Sequence, residues 1–407
     1  METISISKKM KSNYIDYAIE VNTYRAIPSM YDGLKSVQRR LFLIGSKIAK
    51  NTLVKSASII GECMATYHPH GDISLYNALV GLVNDPYPMF LGQGNWGDIE
   101  TSPAAYRYTS VKLSDFMKSY YVPYMEYSKF MEGELGHSEQ SFIPTKVPYA
   151  LINGTLGVGL GISTIIPSFT LNSVLEYVSW LNSPSGKSEP ELKINYPLYE
   201  IDDTILSSGY GIVKYFPIYQ QEDDKTFVIT QHFPNINIKE IILKSFKTEI
   251  ENKKVFIRDE SGSNGTRIVI GKIWWININE IEKKIKKITK SLTVSMNWST
   301  GVNKPLVKRL SPKQILEISL EKYTQALEKW KQDEISKIEI EYKFQKLKMK
   351  IVKKLISNEP WNQIQLKYKL SDHETSIFKS KSLNQLTSEF KESEYLNQLQ
   401  NIKDIRI

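Results

Sequence analysis

The stretch "KSASIIGECMATYHPHGDISLYNALVGLV", residues 55–83, decides how the first half of the chain is read. Two runs with helical spacing flank the segment Tyr67–Asp72, where Pro69 and Gly71 favour a sharp turn over a continuous helix. On the second run Ile73, Tyr76, Leu79, Val80 and Val83 fall on one face, the expected buried face. Two short helices joined by a tight turn suit a helix-turn-helix unit, which sets a helix against nucleic acid. The turn also places the start of the second helix where a phosphate is readily bound. His68 and His70 stand in this turn. They can ligate a metal, or hydrogen-bond a phosphate or a reacting hydroxyl. Few further ligands lie nearby in sequence and a metal site needs more, so the phosphate reading is preferred.

Upstream, "RAIPSMYDGLKSVQRRLF" (residues 25–42) gathers Arg25, Lys35, Arg39 and Arg40. Such a cluster is either a solvated basic helix start or a phosphate-gripping surface, since charge neutralisation by Lys and Arg supplies most sequence-independent DNA affinity. Downstream, "LGQGNWGDIETSPAAYRYTSVKL" (residues 91–113) opens with glycines that permit close backbone approach. Its run from Ala105 to Val111 is strand-like, and regular alternation puts Tyr106 and Tyr108 on one face with Arg107 opposite. With 24 tyrosines in the chain, packing is the default role of each. The segment "YALINGTLGVGLGISTIIPSFT" (residues 149–170) lacks the Walker lysine and does not fit GxGxxG. It reads as a small-residue turn before a helix capped by Thr170 or Asn172, or as an apolar wedge, because isoleucine beside proline can enter between base steps and kink DNA.

Three zones follow from the rest. Residues 1–181 are helix-rich with loops of Gly, Pro and His. The second zone, 182–310, opens in the linker-like "LNSPSGKSEPE" (residues 181–191); from about Pro197 to Arg309 short β-branched runs alternate with turns around an amphipathic helix, "IKEIILKSFKTEI", an α+β pattern. Residues 311–407 open with "SPKQ", where Ser311 and Gln314 fit a capping box and Pro312 the first turn. Apolar residues at Leu316, Leu320, Tyr323, Leu327 and Trp330, then Ile335, Ile338 and Tyr342, predict one long helix with a coiled-coil seam. "SEFKESEYLNQLQNIKDI" is the expected return helix.

Composition narrows the function. Of 407 residues 41% are hydrophobic, enough for real cores, and the net charge of +9 favours a polyanionic partner, nucleic acid or an anionic membrane surface. The single cysteine, Cys63, excludes an internal disulfide framework and a cysteine-based zinc site. No signal-peptide pattern and no apolar run of ~18 residues is found. The chain is expected to be soluble, intracellular and cytoplasmic, without membrane binding.

Taken together and in this order, "RAIPSMYDGLKSVQRR", "YHPHGD", "GQGNWG", "AAYRYT", "LINGTLGVGLGISTIIP" and, more weakly, "RDESGSNGTRIVI" resemble the A subunit of type IIA DNA topoisomerases. That group holds the A subunits of DNA gyrase and topoisomerase IV and the phage medium subunit. The resemblance implies a mixed α+β multidomain chain. Its parts would be a winged-helix DNA gate (1–181), an α+β tower (182–310), and a coiled coil with a small C-terminal dimerisation gate (311–407). It puts the nucleophile on Tyr108, a phosphate-side helper on Arg107, and packing on Tyr106. It puts the wedge on Ile166 and DNA contacts on Arg25, Lys35, Arg39, Arg40, His68 and His70. A phenol ionises near pH ~10, so attack on phosphorus needs a base or nearby positive charge, which Arg107 supplies.

The same resemblance implies double-stranded DNA as substrate and a homodimer within an A₂B₂ complex. It also implies a B subunit carrying the ATPase and the acidic residues for Mg²⁺. Gln38 stands where the family commonly has histidine, and Tyr31 where it has arginine. Ile73 and Asn77 replace the serine and acid that bridge quinolones, so weak quinolone sensitivity is expected. Because the chain ends at Ile407, no DNA-wrapping propeller is expected, and the enzyme should relax and decatenate DNA in the manner of a compact phage or viral version rather than supercoil it. The rivals are a non-catalytic DNA clamp of the same fold and an unrelated tyrosine recombinase. The recombinase does not explain the long coiled coil.

Overall fold

The computed structural model describes residues 6–98, 101–184, 186, 188–231, 233, 238–262, 265–273, 277–301, 306–369 and 392–405. The chain forms two compact units, residues 1–323 and 324–407.

The first unit begins with helix α1 (Ile6–Glu20), which runs into a π-helical turn over Val21–Ala26. Helix α2 (Ser36–Ile48) packs on α3 (Ser56–Thr66) and α4 (Asp72–Asn84). The two helical runs around the histidine turn are therefore real, and the turn separates them. The buried face of α4 is Leu75, Tyr76, Leu79 and Leu82, rotated from the face expected. Ile73 is 69% exposed, and Asn77, one turn later, shares its outward side. Tyr76 and Leu79 lie inside as expected, whereas Ile73 is hydrophobic and yet faces out.

Against these helices lies a small antiparallel sheet of β1 (Val54–Lys55), β2 (Phe90–Gln93) and β3 (Ser110–Leu113), with β3 in the middle. The expected strand from Ala105 thus begins only at Ser110. Its partner explains why. Gln93 pairs with Ser110, and then Gly94 turns away at φ +106°, so residues before Ser110 have no strand to bond. They form a turn instead, in which the Tyr108 N–H donates to Ala105 O at 2.9 Å. A hairpin of β4 (Phe130–Glu132) and β5 (Ser138–Gln140) follows.

A five-stranded antiparallel sheet takes strands Thr155–Val158 and Ser163–Ile166 from one side of residue 181. From the other it takes Tyr199–Ile201, Tyr210–Tyr215 and Lys290–Ser295. A four-stranded sheet, Tyr219–Gln221, Thr226–Ile229, Val255–Asp259 and Ile268–Lys272, completes the α+β part. Thr170 caps the helix Leu171–Asn182 by accepting from Ser173 N–H.

The long helix runs from Pro312 to Ile356, about 70 Å at ~1.5 Å per residue. Its capping box is formed: Ser311 N–H donates to Gln314 Oε1 at 3.0 Å, and Gln314 N–H to Ser311 Oγ at 3.3 Å. Leu316 and Leu320 are buried in the core of the first unit, so the start of the expected seam is body packing rather than coiled coil. Within the second unit the helix Glu392–Asp404 returns along it. Tyr395 lies 6.1 Å from Tyr342, and Lys331 bonds the carbonyl of Ile405. Residues 388–391 of the expected return helix lie outside the described residues. Among the described residues no helix is long and apolar enough to cross a membrane.

The buried Asp32 ties the first unit together. Its carboxylate takes Arg39 Nε at 2.8 Å and Nη2 at 3.0 Å, Leu34 N–H at 2.9 Å and Ile143 N–H at 2.8 Å. Arg39 is likewise buried. Removing one partner of such a pair strands the other charge, so Asp32→Ala should lower unfolding stability by about 3–5 kcal/mol. Urea denaturation followed by tryptophan fluorescence measures this, and a loss under about 1 kcal/mol would show that water or another group replaces the carboxylate.

Candidate nucleic-acid interface

The α3–α4 turn carries His68 and His70 with their rings 4.6 Å apart, edge to face. Arg40, on the buried side of α2, reaches this turn. Its Nη1 donates to His68 Nδ1 at 2.9 Å. A guanidinium can only donate, so Nδ1 accepts and the ring proton of neutral His68 sits on Nε2. Burial first and the Arg40 charge second push the His68 pKa down to about 4. At neutral pH His68 is therefore an uncharged ring whose donor is Nε2–H.

Arg40 is itself held from the other side by the β4–β5 hairpin. Its Nε and Nη2 each donate to Glu139 at 2.9 Å, and Nη1 donates to Glu134 Oε1 at 2.8 Å. The other Glu134 oxygen meets His70 Nε2 at 2.9 Å. Burial opposes ionisation of Glu134, but Arg40 and His70 outweigh it and hold the carboxyl below its ordinary range.

The four basic residues expected to form one phosphate surface are thus in four different situations. Arg39 is buried and spends Nε and Nη2 on the Asp32 carboxylate, so its charge is largely taken up inside the fold and not laid out on the surface as expected. Arg40 is buried but joined to the histidine turn. Lys35 Nζ donates to Leu156 O at 2.7 Å, and burial lowers its pKa. Arg25 is exposed and loosely paired with Glu20 at 3.4 Å. Gln38 accepts the Lys35 N–H at 2.9 Å and so caps α2.

The turn at 106–108 separates its two tyrosines. Tyr106 is half-buried, edge-on to Tyr76, and its hydroxyl donates to Asp72 Oδ2 at 3.0 Å. That bond ties the turn to the first residue of α4, two positions after His70, and raises the Tyr106 pKa. Tyr108 is 64% exposed, with the Arg107 guanidinium 4.7 Å from its ring centre. Its neighbour Thr109 is fully buried, with Oγ1 bonded to Ser56 Oγ at 2.8 Å. A regular strand would put the two phenols on one face; the turn packs one against α4 and gives the other to solvent.

Ile166 is 1% exposed and packs in the core, so the wedge expected there is not presented at the surface. Alternation on its short strand turns Ile166 inward. The exposed apolar side chains of the same hairpin are Leu156 and Val158.

Among the described residues one group of His, Cys, Asp and Glu has metal-ligand spacing, namely His68, His70 and Glu134. Arg40 already occupies His68 Nδ1 and one oxygen of Glu134. A cation there would face a guanidinium, and two imidazoles are poor ligands for Mg²⁺, which prefers oxygen. The cluster suits an anion better. Glu134 and Glu139 escape sequence reasoning because they lie more than 90 residues from Arg40, with no local spacing to mark them. Asp32 sits inside a quoted motif, but its role depends on the distant Ile143 and leaves no sequence signal.

Residues 25–407 match the family model that describes the DNA gyrase/topoisomerase IV A subunit. The chain is similar to the DNA gyrase A subunit of Campylobacter jejuni subsp. jejuni, 36% identical over 203 residues (47% of this chain, 23% of that protein). It is 30% identical over 303 residues to the DNA gyrase A subunit of Haloquadratum walsbyi (66% and 34%). It is 29% identical over 352 residues to the DNA topoisomerase 4 A subunit of Escherichia coli strain K12 (76% and 45%). The chain spans less than half the length of these relatives.

The depressed His68 pKa has a consequence for stability. Between about pH 6.5 and pH 4 the unfolded chain binds a proton that the folded His68 refuses, so this group costs stability as pH falls through that window. His68→Gln should flatten the loss. Melting curves of both proteins at pH 7, 5.5 and 4.5 compare them directly, and parallel losses would show that His68 is freely protonated in the fold.

Proposed function

The chain belongs to the family of DNA gyrase and topoisomerase IV A subunits, and from that premise we propose that it is the DNA breakage-reunion component of a type IIA DNA topoisomerase. One observation carries the assignment of the nucleophile: of the two tyrosines flanking Arg107, Tyr108 is exposed, whereas the Tyr106 hydroxyl is spent on Asp72. Helices α2–α4 and the three-stranded sheet would serve as the winged-helix gate, and the α+β sheets as the tower.

The Tyr108 oxygen attacks a backbone phosphorus and loses its proton. The bond to the 3′ oxygen breaks, that oxygen takes up a proton, and a 5′-phosphotyrosine forms. One phosphodiester replaces another, so the reverse attack reseals the strand without an energy source. Arg107, always protonated, steadies the phosphate oxygens beside the phenol. Neutral His68 would present its Nε2–H toward the same backbone, while His70 Nε2 is held by Glu134. Two copies of the chain would cut opposite strands within an A₂B₂ complex. The bound Mg²⁺ would stabilise the leaving oxygen. Its ligands, like the ATP site, are proposed to lie on the partner B subunit, as the family resemblance implies.

Covalent trapping tests this. With the B subunit, Mg²⁺ and plasmid, denaturation should leave protein-linked DNA for wild type and Tyr106→Phe and none for Tyr108→Phe, while Arg107→Ala should lose roughly 10²-fold or more in cleavage rate. Binding without any adduct would identify the non-catalytic clamp. In the same reconstitution, gels of supercoiled and interlinked plasmid read out the relaxing and decatenating activity that we propose.

The exposed apolar Ile73 on α4 supports weak quinolone trapping, since it cannot hydrogen-bond the water around a drug-bound metal ion. Ile73→Ser with Asn77→Asp should increase trapped cleavage at a fixed fluoroquinolone concentration. An unchanged yield would remove these two positions from drug recognition.

A further inference from the structure

We propose that Glu134 is an internal stand-in for a DNA phosphate. It holds the Arg40–His68–His70 cluster closed until a backbone phosphate displaces it. The inference rests on the DNA-gate reading above and adds a competitor to it.

The two carboxylates on Arg40 are not equivalent. Glu139 lies in strand β5, is 4% exposed, and holds Nε and Nη2 in a two-pronged pair, so it is a fixed part of the fold. Glu134 lies at the tip of the hairpin and is exposed. One of its oxygens takes the Arg40 Nη1 donor and the other takes His70 Nε2. Two anionic oxygens shared between a guanidinium N–H and an imidazole N–H is also how a phosphodiester would be held by its two non-bridging oxygens.

Charge favours displacement over addition. Glu139 already neutralises Arg40, so a phosphate added beside Glu134 would put a third anion on one guanidinium. A phosphate that replaces Glu134 leaves the local charge unchanged. The hairpin permits the exchange. Its tip is closed by local bonds, Gly133 N–H to His137 O at 2.9 Å and Gly136 N–H to Gly133 O at 3.0 Å, while the β4–β5 pairing ends at Glu132 and Ser138. Glu134 can therefore swing out without breaking the ladder.

Binding of a short duplex by the full chain, followed by fluorescence anisotropy at fixed salt, tests the inference with a charge-preserving change. Glu134→Asp keeps the carboxylate but is one methylene too short to bridge Arg40 and His70. It should bind several-fold more tightly than wild type, and Glu134→Gln roughly tenfold more tightly. Glu132→Gln removes the same charge from the same hairpin without touching the cluster and should change affinity less than about twofold. Equal gains in Glu134→Gln and Glu132→Gln with none in Glu134→Asp would reduce the effect to general repulsion and overturn the inference. A wild-type chain that binds no duplex at any salt would instead overturn the DNA-gate reading itself.

Discussion

The first unit depends on one buried carboxylate. Asp32 neutralises Arg39 and receives the amides of Leu34 and Ile143, while its own carbonyl accepts from Tyr149 N–H. The loop before α2 is thereby tied to α2 itself, to the segment after the β4–β5 hairpin and to the helix Tyr149–Asn153. Gly33 makes the close approach possible. It adopts φ +71°, and a Cβ there would lie 2.6 Å from the backbone nitrogens of Tyr149 and Ala150. The hairpin that reaches Arg40 is thus anchored by the neighbouring arginine's partner.

Adjacent arginines on one helix consequently have unlike duties. Arg39 closes the interior, where a desolvated pair must be fully satisfied to be tolerated. Arg40 extends the same electrostatic framework outward to the histidine turn, where it decides which imidazole nitrogen bears the proton. The chain's surplus of positive charge is therefore a poor guide to which cations meet a ligand.

Much of this is legible in the sequence. The helix–turn–helix over residues 56–84, the capping box at Ser311 and Gln314, the long helix and the α+β middle all rest on local signals, and local signals suffice for them. What is not legible depends on partners. The strand expected over Ala105–Val111 is shorter because its length is set by where β2 stops. The faces of α4 and of the hairpin ending at Ile166 differ from expectation because each is set by what packs on it. The candidate site is half legible: the histidines and the Tyr106–Tyr108 segment are conspicuous, whereas the two glutamates that complete it come from a distant hairpin.

The turn bearing Tyr108 hangs from the end of β3, and β3 is the middle strand of its sheet, bonded to β1 on one side and β2 on the other. A load applied to Tyr108 along that strand would be shared in shear by both rows of bonds at once. It would not peel them open one after another. Under the cleavage proposed for Tyr108, a DNA end tethered there would be pulled away from its mate while the small sheet stays whole.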